Sequence, residues 1–327
     1  MEYTELIQWL LTGDVSIQYQ VNRDLLSIER KDLQDRISKE GFGAKFLSQR
    51  KPNGHWGRKF YQPKWTSTHY TLLDLRILCV SPDNPLIQES IEIILENEKA
   101  NDGGILPIGT TQLTDLCING MFLNYASYFK TNEQDLKSVV DCILAQVMHD
   151  GGFNCRSNRF ETVHSSLHTT LSVLEGITEY ETQGYSHRLE ELHQAQRSSI
   201  EFILMHRLFR SDRTGEIINK DFLKLTYPCR WRYDILRALD YFQHANIKWD
   251  DRMNDAIQIL HKKRNKDETW NVQAKHQGLV HFEMEKAGKP SRWNTLRALR
   301  VLKHFKLLNV IQSIIGVTTI LLNSTGP

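Results

Sequence analysis

The sequence predicts an all-α protein of the α/α-toroid class, with six helical hairpins whose inner and outer helices form two rings. The first observation is a recurring tight turn, Asn101-Asp102-Gly103-Gly104 and Asp150-Gly151-Gly152-Phe153, in copies about 48 to 65 residues apart. The second is a shared apolar pattern in the helices that follow, since residues 71–76 can be laid over residues 295–300. A helical hairpin cannot bury its apolar stripe alone, and the lack of evident capping repeats favours a closed ring over an open array.

Each element is delimited by the helical period of its apolar residues and by turn residues. Ser16 is placed to cap the first inner helix, and Pro82 and Pro85 separate an inner helix from the next outer one. The expected inner helices are 16–28, 67–80, 114–129, 164–180, 230–243 and 292–305. The expected outer helices are 31–49, 86–98, 132–148, 187–209, 250–263 and the apolar tail 307–323.

The whole chain is interpreted as a single domain. Residues 1–50 hold an N-terminal helix and the first hairpin, 51–305 the recognisable repeats, and 306–327 the apolar tail. When the inner helices are aligned, one residue per repeat falls at an equivalent position near the helix start: His69, Cys117, His168, Tyr233 and Trp293. In a ring these residues are expected to gather at one mouth, and the predicted site depends on that geometry.

Composition excludes some functions. The chain has 327 residues, of which 40% are apolar and 24% charged, as expected of a water-soluble protein with a substantial core. Its net charge of +2 gives no electrostatic argument for binding nucleic acid. Five scattered cysteines, an odd number, favour reduced thiols and a cytoplasmic location. The start lacks the pattern of a signal peptide, and the tail is short and contains polar residues, so we expect a buried last helix and no stable membrane span.

The turns, the Gly54-His55-Trp56 loop and the aromatic residues before each inner helix resemble the prenyltransferase and squalene-oxidase repeat. The resemblance covers about residues 50–305. It implies the toroid, with a central cavity, of the protein prenyltransferase β subunits and of the triterpene and diterpene cyclases. Class II terpene cyclases protonate their substrate with a DxDD motif, which does not occur in this sequence, so that chemistry is disfavoured.

The resemblance also implies a zinc site. Prenyltransferase β subunits bind zinc through an Asp-x-Cys at the start of one inner helix and a His early in the next, which here match Asp115, Cys117 and His168. His69 is a candidate fourth ligand or a group behind the ligands. Bound zinc would hold Cys117 as a thiolate and activate a substrate thiol or water. The residues by themselves leave a second interpretation open, a polar cavity rim without metal.

Aromatic and basic residues before or within the inner helices are candidates for contacting a substrate. They are Trp56, Trp65, Tyr70, Phe153, Arg230, Trp231, Tyr233, Trp270, Arg292 and Trp293. An aromatic wall suits a prenyl chain or a carbocation, but aromatic residues also pack the joints between repeats. Arg230, Arg232 and Arg292 either hold a diphosphate or are solvated helix ends.

Three functions follow from these observations. The first is an enzyme, with or without zinc, that acts on an isoprenoid or another apolar small molecule in a central cavity. The second is a toroid that binds a ligand or a partner without catalysis or metal. The third is a carbohydrate-active toroid, which as a glycosidase would need two carboxylates in the cavity. The predicted inner-helix starts offer few acids beyond Asp115 and Glu161, so this third function has the least support.

Overall fold

The computed structural model describes residues 3–107, 113–156, 161–273 and 276–308. These ranges are mainly helical, with a two-stranded antiparallel sheet of β1 (Trp270–Asn271) and β2 (Pro290–Ser291). The helices are α1 (Tyr3–Leu11), α2 (Val15–Gln20), α3 (Lys31–Arg36), α4 (Gly41–Leu47), α5 (Thr68–Ile77), α6 (Pro85–Asn97), α7 (Leu116–Tyr128), α8 (Glu133–Leu144), α9 (Leu167–Thr182), α10 (Leu189–Met205), α11 (Ile235–His244), α12 (Asn254–Lys262) and α13 (Arg292–His304). No helix in the described ranges is long and apolar enough to cross a bilayer, and the predicted tail helix lies almost wholly outside them.

Burial separates inner from outer helices. Eleven of the 13 residues of α7 are buried, against five of the 12 residues of α8, which follows it. A helix that is buried all round lies inside a protein, whereas a helix with one buried stripe lies at its surface. By this criterion α5, α7, α9, α11 and α13 are inner helices. Helix α2, with the π-helical turn Val21–Leu26 that extends it, is less completely buried, and its contacts with α13 place it beside them. The remaining helices cover them.

The contacts between inner helices return to the first repeat. Helices α5, α7, α9, α11 and α13 pack against one another in that order, and α13 packs against α2 and its π-helical turn. The hydroxyl of Ser16 on α2 donates to the carbonyl of Leu78, which follows α5, at 2.5 Å. Arg300 on α13 lies 2.8 Å from Asp240 on α11 and 2.9 Å from Asp24 in the π-helical turn. The first and last repeats are therefore joined directly.

Two glycines allow α7 and α9 to approach each other closely. A Cβ atom at Gly120 would lie 2.6 Å from the backbone oxygen of Ser172, and one at Gly176 would overlap the backbone oxygen of Gly120. Real Cβ contacts are not this short, so a side chain at either position would push the helices apart. The close spacing of α7 and α9 therefore depends on glycine at these two positions.

Buried aromatic residues fix the joints between repeats. Trp270 donates its indole N–H to the carbonyl of Leu260, at the end of α12, at 2.8 Å, and its backbone N–H to the hydroxyl of Thr295 on α13 at 3.0 Å. Trp56 likewise donates its indole N–H to a backbone carbonyl and its backbone N–H to a threonine hydroxyl of the following helix. The backbone N–H of Phe153 also donates to a threonine hydroxyl of the helix that follows it. All three side chains are fully buried. Each therefore ties the loop before an inner helix to that helix.

Side-chain hydrogen bonds explain three helix boundaries that differ from the prediction. The predicted helix 31–49 is divided into α3 and α4 where Gly41 adopts φ +65°, and Asp14 accepts the backbone N–H of Phe42 at 2.8 Å just beyond it. The predicted helix 230–243 begins only after Asp234, whose carboxylate accepts the backbone N–H of Arg237 at 2.9 Å as a helix cap.

The third boundary concerns the helix predicted over 164–180. Asp150 accepts hydrogen bonds from both the backbone N–H and the hydroxyl of Ser165, which keeps this residue in the loop. Helix α9 therefore begins at Leu167, and His164 precedes it. His164 is exposed, with Nε2 2.9 Å from a guanidinium nitrogen of Arg213, so it does not share a helix face with His168.

Candidate functional site

The residues that the repeat alignment made equivalent mostly share a helical position, but each lies at a different boundary between repeats. His69, Cys117, His168 and Trp293 are each the second residue of their helices, whereas Tyr233 precedes α11 by two residues. For three of them the contact partner lies in the next repeat: Tyr125 for His69, Cys155 for Cys117 and Trp231 for His168. The register is thus real, but each side chain packs into its own boundary between repeats.

The histidine matched to the zinc site makes a hydrogen bond to the backbone. His168 Nδ1 accepts the N–H of Tyr233 at 2.8 Å, which places the proton of a neutral ring on Nε2. Burial, followed by the charges of Arg237 and Arg232, lowers the pKa of His168 to about 4, so the ring is neutral at pH 7. A metal at Nε2 would require the other tautomer and would break the bond to Tyr233.

The other predicted ligands have different surroundings. His69 is fully buried with Nδ1 3.3 Å from the hydroxyl of Tyr125, and burial lowers the pKa of His69 to about 3. Asp115 is the N-cap residue of α7, and Cys117 is in contact with Cys155. Among the described residues, no three His, Cys, Asp or Glu side chains are grouped so that they could hold a metal ion. Zinc binding by these residues stays a prediction.

Cys117 and Cys155 form a pair of half-buried thiols. The sulfur of Cys155 accepts the backbone N–H of Cys117, at the first turn of α7, at 3.1 Å. It also accepts the hydroxyl of Thr169 on α9 at 3.3 Å. Cys155 was not among the site residues predicted from the sequence. The available signal was its place two residues after Phe153, in the same turn that binds α9 through Thr170.

The two thiols have opposite shifts in pKa. The hydrogen bond from the Cys117 thiol, with those from Thr169 and the Cys117 backbone, lowers the pKa of Cys155 to about 7 against the effect of burial. The same thiol–thiol bond, together with burial, raises the pKa of Cys117. Three donors converging on one sulfur stabilise a thiolate at Cys155, while Cys117 remains a protonated donor.

Cationic and aromatic side chains lie near the thiols on what we call the N-terminal face, formed by residues 60–65, 70, 115–117, 155, 168 and 230–232. The ammonium of Lys64 lies 4.8 Å from the ring of Trp65 and 5.0 Å from that of Trp231. The guanidinium of Arg230 lies over the ring of Trp65, 4.6 Å from its centroid, and the ring of Tyr70 packs edge-on against the Trp65 ring at 4.9 Å. The structure therefore brings together four of the ten predicted substrate residues.

Next to Trp65 lies a group of buried polar side chains, which we call the Asp74 cluster: Asp74, Tyr227, Arg230 and His276. Both carboxylate oxygens of Asp74, Nε of Arg230, the hydroxyl of Tyr227 and Nδ1 of His276 have no hydrogen-bond partner among the described residues. A guanidinium nitrogen of Arg230 is 3.8 Å from the Asp74 carboxylate, and the His276 ring is 5.1 Å from that of Trp65. Leaving a buried polar group unpaired costs about 1–3 kcal/mol, so the cluster has unused capacity to bind a polar group.

The Asp74 cluster contains groups suited to proton transfer. Burial raises the pKa of Asp74 to about 6, although the charge of Arg230 opposes this. Burial, then the charges of Arg232 and Arg230, lowers the pKa of His276 to about 4. At neutral pH the cluster therefore holds a carboxyl group close to its titration point beside a neutral imidazole.

The remaining predicted substrate residues lie elsewhere. Trp293 is buried and stacks on Tyr227 at 4.9 Å with an interplanar angle of 7°. Arg292 lies over Trp9 at 4.6 Å and donates to its backbone carbonyl at 3.1 Å, tying α13 to α1. The hydroxyl of Tyr233 donates to a backbone carbonyl at 2.6 Å. Three others anchor the joints described above, so packing accounts for the surroundings of these six residues.

Comparison with known proteins gives a likeness of fold. No family model matches the sequence, and no curated protein matches it. A solved structure of a polysaccharide lyase is similar, with a TM-score of 0.52 and 11% sequence identity over 94% of this chain and 99% of that chain. At such low identity the likeness concerns the fold alone. The chain is thus a mainly helical protein with a polysaccharide lyase among its structural neighbours, and membership in the prenyltransferase family stays a prediction.

Proposed function

We propose that the chain closes into an α/α toroid and binds an anionic, partly apolar ligand at its N-terminal face. The closed ring is supported by the order of inner-helix contacts, in which α13 returns to α2. It is further supported by the ion pair between Arg300 on α13 and Asp24 beside α2. A ring of this kind presents the starts of its inner helices on one side, where loops from several repeats can share a ligand.

The observation that carries the ligand proposal is the ammonium of Lys64 between the rings of Trp65 and Trp231, at 4.8 and 5.0 Å. Lys64 is exposed, so the same charge is accessible to a ligand from solvent. The half-buried indole of Trp231 has an N–H without a hydrogen-bond partner among the described residues. A cation and a free donor beside flat apolar rings suit a ligand with an anionic head and an apolar body, and a prenyl diphosphate is the class we propose.

Proton transfer is the chemistry that the neighbouring groups support. Arg232, with its guanidinium 5.6 Å from the Trp231 ring, adds a second positive charge for the head group. Asp74, with a pKa of about 6, can donate or accept a proton near neutral pH. If the protein binds its ligand without catalysis, the Asp74 cluster transfers no proton, and the ligand should be bound without being converted to a product.

A second candidate function is elimination on an acidic polysaccharide. It is supported by the similarity to a polysaccharide lyase over almost the whole of both chains. Elimination beside a uronic acid carboxylate needs a cation to neutralise the carboxylate and a base for the adjacent C–H. Arg230 is a cation of this kind, and His276 is a neutral base with an unpartnered nitrogen. Unlike a glycosidase, this chemistry does not need two carboxylates.

Calorimetric titration with matched ligands tests the proposal. We expect farnesyl diphosphate to bind more tightly than farnesol, which lacks the charge, or inorganic diphosphate, which lacks the apolar body. Lys64→Gln should weaken binding by about tenfold to a hundredfold, because a contact to a charged group contributes about 1.5–3 kcal/mol. Lys59→Gln, which changes an exposed lysine on the same loop, is the control and should bind as the unchanged protein does.

The same titration distinguishes the two candidates. An oligomer of uronic acid that binds and yields an unsaturated product, detected by ultraviolet absorbance, would replace the prenyl diphosphate proposal with the elimination proposal. If neither ligand binds, or if Lys64→Gln and Lys59→Gln behave alike, the N-terminal face is not a site for an anionic ligand.

A further inference from the structure

We propose that Cys155 and Cys117 form a redox-active dithiol, in which Cys155 attacks a hydroperoxide and Cys117 then closes a disulfide with it. This site is independent of the ligand proposed above, since it depends only on the placement of the two thiols. Two donors to the Cys155 sulfur are the backbone N–H of Cys117 at 3.1 Å and the Thr169 hydroxyl at 3.3 Å. Both donors favour the thiolate, which is the nucleophilic form of cysteine.

The geometry lets the second thiol reach the first. The sulfur of Cys155 is 3.1 Å from the Cys117 nitrogen, and an N–Cα bond is about 1.46 Å, so that sulfur is at most about 4.6 Å from the Cys117 Cα. A disulfide requires its two Cβ atoms to lie about 3.5–4.5 Å apart, and a sulfur this close to the Cys117 Cα lies within reach of the Cys117 side chain. Rotation of the Cys117 side chain should be sufficient to form the bond.

The surroundings favour a small oxidant. Both thiols are half-buried, so a hydroperoxide can reach them more easily than a protein disulfide can. By contrast, the thiols of Cys79, Cys142 and Cys229 are buried. These three buried thiols therefore serve as internal references of low reactivity when the reaction rate of Cys155 is measured.

The reaction balances without a further reagent. The Cys155 thiolate attacks the terminal oxygen of the hydroperoxide, the O–O bond breaks, and the alkoxide that leaves takes up a proton to become an alcohol. Cys155 is then a sulfenic acid. The Cys117 sulfur displaces hydroxide from it, the S–S bond forms, and water leaves with the Cys117 proton. In total two thiols are oxidised by two electrons and one hydroperoxide is reduced to alcohol and water. A dithiol reductant restores the thiols.

Mass spectrometry of the full chain tests this proposal. The reduced protein is treated with one equivalent of hydrogen peroxide, alkylated and digested, and we expect a cross-linked peptide containing Cys117 and Cys155. In the unchanged protein under native conditions, Cys155 should react with iodoacetamide at least about tenfold faster than Cys229. This comparison is internal, so it does not depend on whether any variant folds.

Variants separate the two roles. Cys117→Ser should retain a sulfenic acid at Cys155 that dimedone traps, whereas Cys155→Ser should give neither the adduct nor the cross-link. Cys79→Ser is the control and should leave the cross-link unchanged, with thermal unfolding used to show that each variant is folded. If Cys155 reacts no faster than Cys229, or if the peroxide product in the unchanged protein lacks the cross-link, the proposal is overturned.

Discussion

Trp270 and Trp65 are both buried tryptophans whose indole N–H donates to a backbone carbonyl, yet they belong to different kinds of surroundings. Trp270 lies in a joint between repeats, where its indole and backbone donors are both paired. Trp65 donates to the carbonyl of Gln277 at 2.6 Å but lies against Arg230 and His276, which have unpartnered buried atoms. The joints therefore supply stability, whereas the region around Trp65 keeps buried polar atoms that have no hydrogen-bond partner among the described residues.

The largest expected effect concerns the joints. Trp270→Ala should lower the free energy of unfolding by about 3–5 kcal/mol, because it removes a fully buried side chain and an indole hydrogen bond. Trp231→Ala, at the half-buried indole of the N-terminal face, should lower it by only about 1 kcal/mol. Urea unfolding followed by circular dichroism measures both. Equal losses in the two variants would remove the distinction between the joints and the face.

A smaller effect is expected where the inner helices meet. Gly176→Ala should destabilise the protein by about 1–3 kcal/mol, because its methyl group would overlap the backbone of Gly120. Thr182→Ala, at an exposed position of the same helix, is the control and should leave the unfolding midpoint almost unchanged. Thermal unfolding of the two variants gives the answer. A Gly176 variant as stable as the control would mean that α7 and α9 are not closely packed.

The smallest expected effect has the opposite sign. The pKa of Asp74 is about 6 in the folded protein, which is higher than in the unfolded chain. Above about pH 6 the carboxyl group is ionised in both states, and its burial then lowers the stability of the fold. Below about pH 4 the group is neutral in both states and this loss of stability is absent. Asp74→Asn should therefore raise the free energy of unfolding by about 1 kcal/mol at pH 8 and leave it unchanged at pH 4. The gain at pH 8 is small because the substitution also removes the charge partner of Arg230, which offsets part of it.

Urea unfolding at both pH values tests this prediction, with Asp83→Asn as a control at an exposed carboxylate. A gain in stability together with loss of any turnover would show that Asp74 is retained for function. A loss of stability at pH 8 would instead place Asp74 among the structural groups, with Trp270 and Thr295.

Part of the site was accessible from the sequence. The repeat alignment predicted that His69, Cys117 and His168 share a register, and all three are the second residue of an inner helix. The alignment did not reveal that each side chain packs at its own boundary between repeats, because the helix next to an inner helix comes from another repeat. Cys155 was missed for the same reason, since its contacts with Cys117 and Thr169 join loops and helices of two repeats.

The sequence by itself determined the succession of inner and outer helices, because helical period, turn glycines and buried patterns are local properties of the chain. Local hydrogen bonds moved some boundaries, as at Asp150 and Asp234, but left the order of the elements intact. Only the tertiary structure decided which polar groups meet, as Asp74 does with Arg230 and Cys117 with Cys155. The physical reason is that these pairs form across packed helices, and the distance between such groups depends on the packing of every repeat between them.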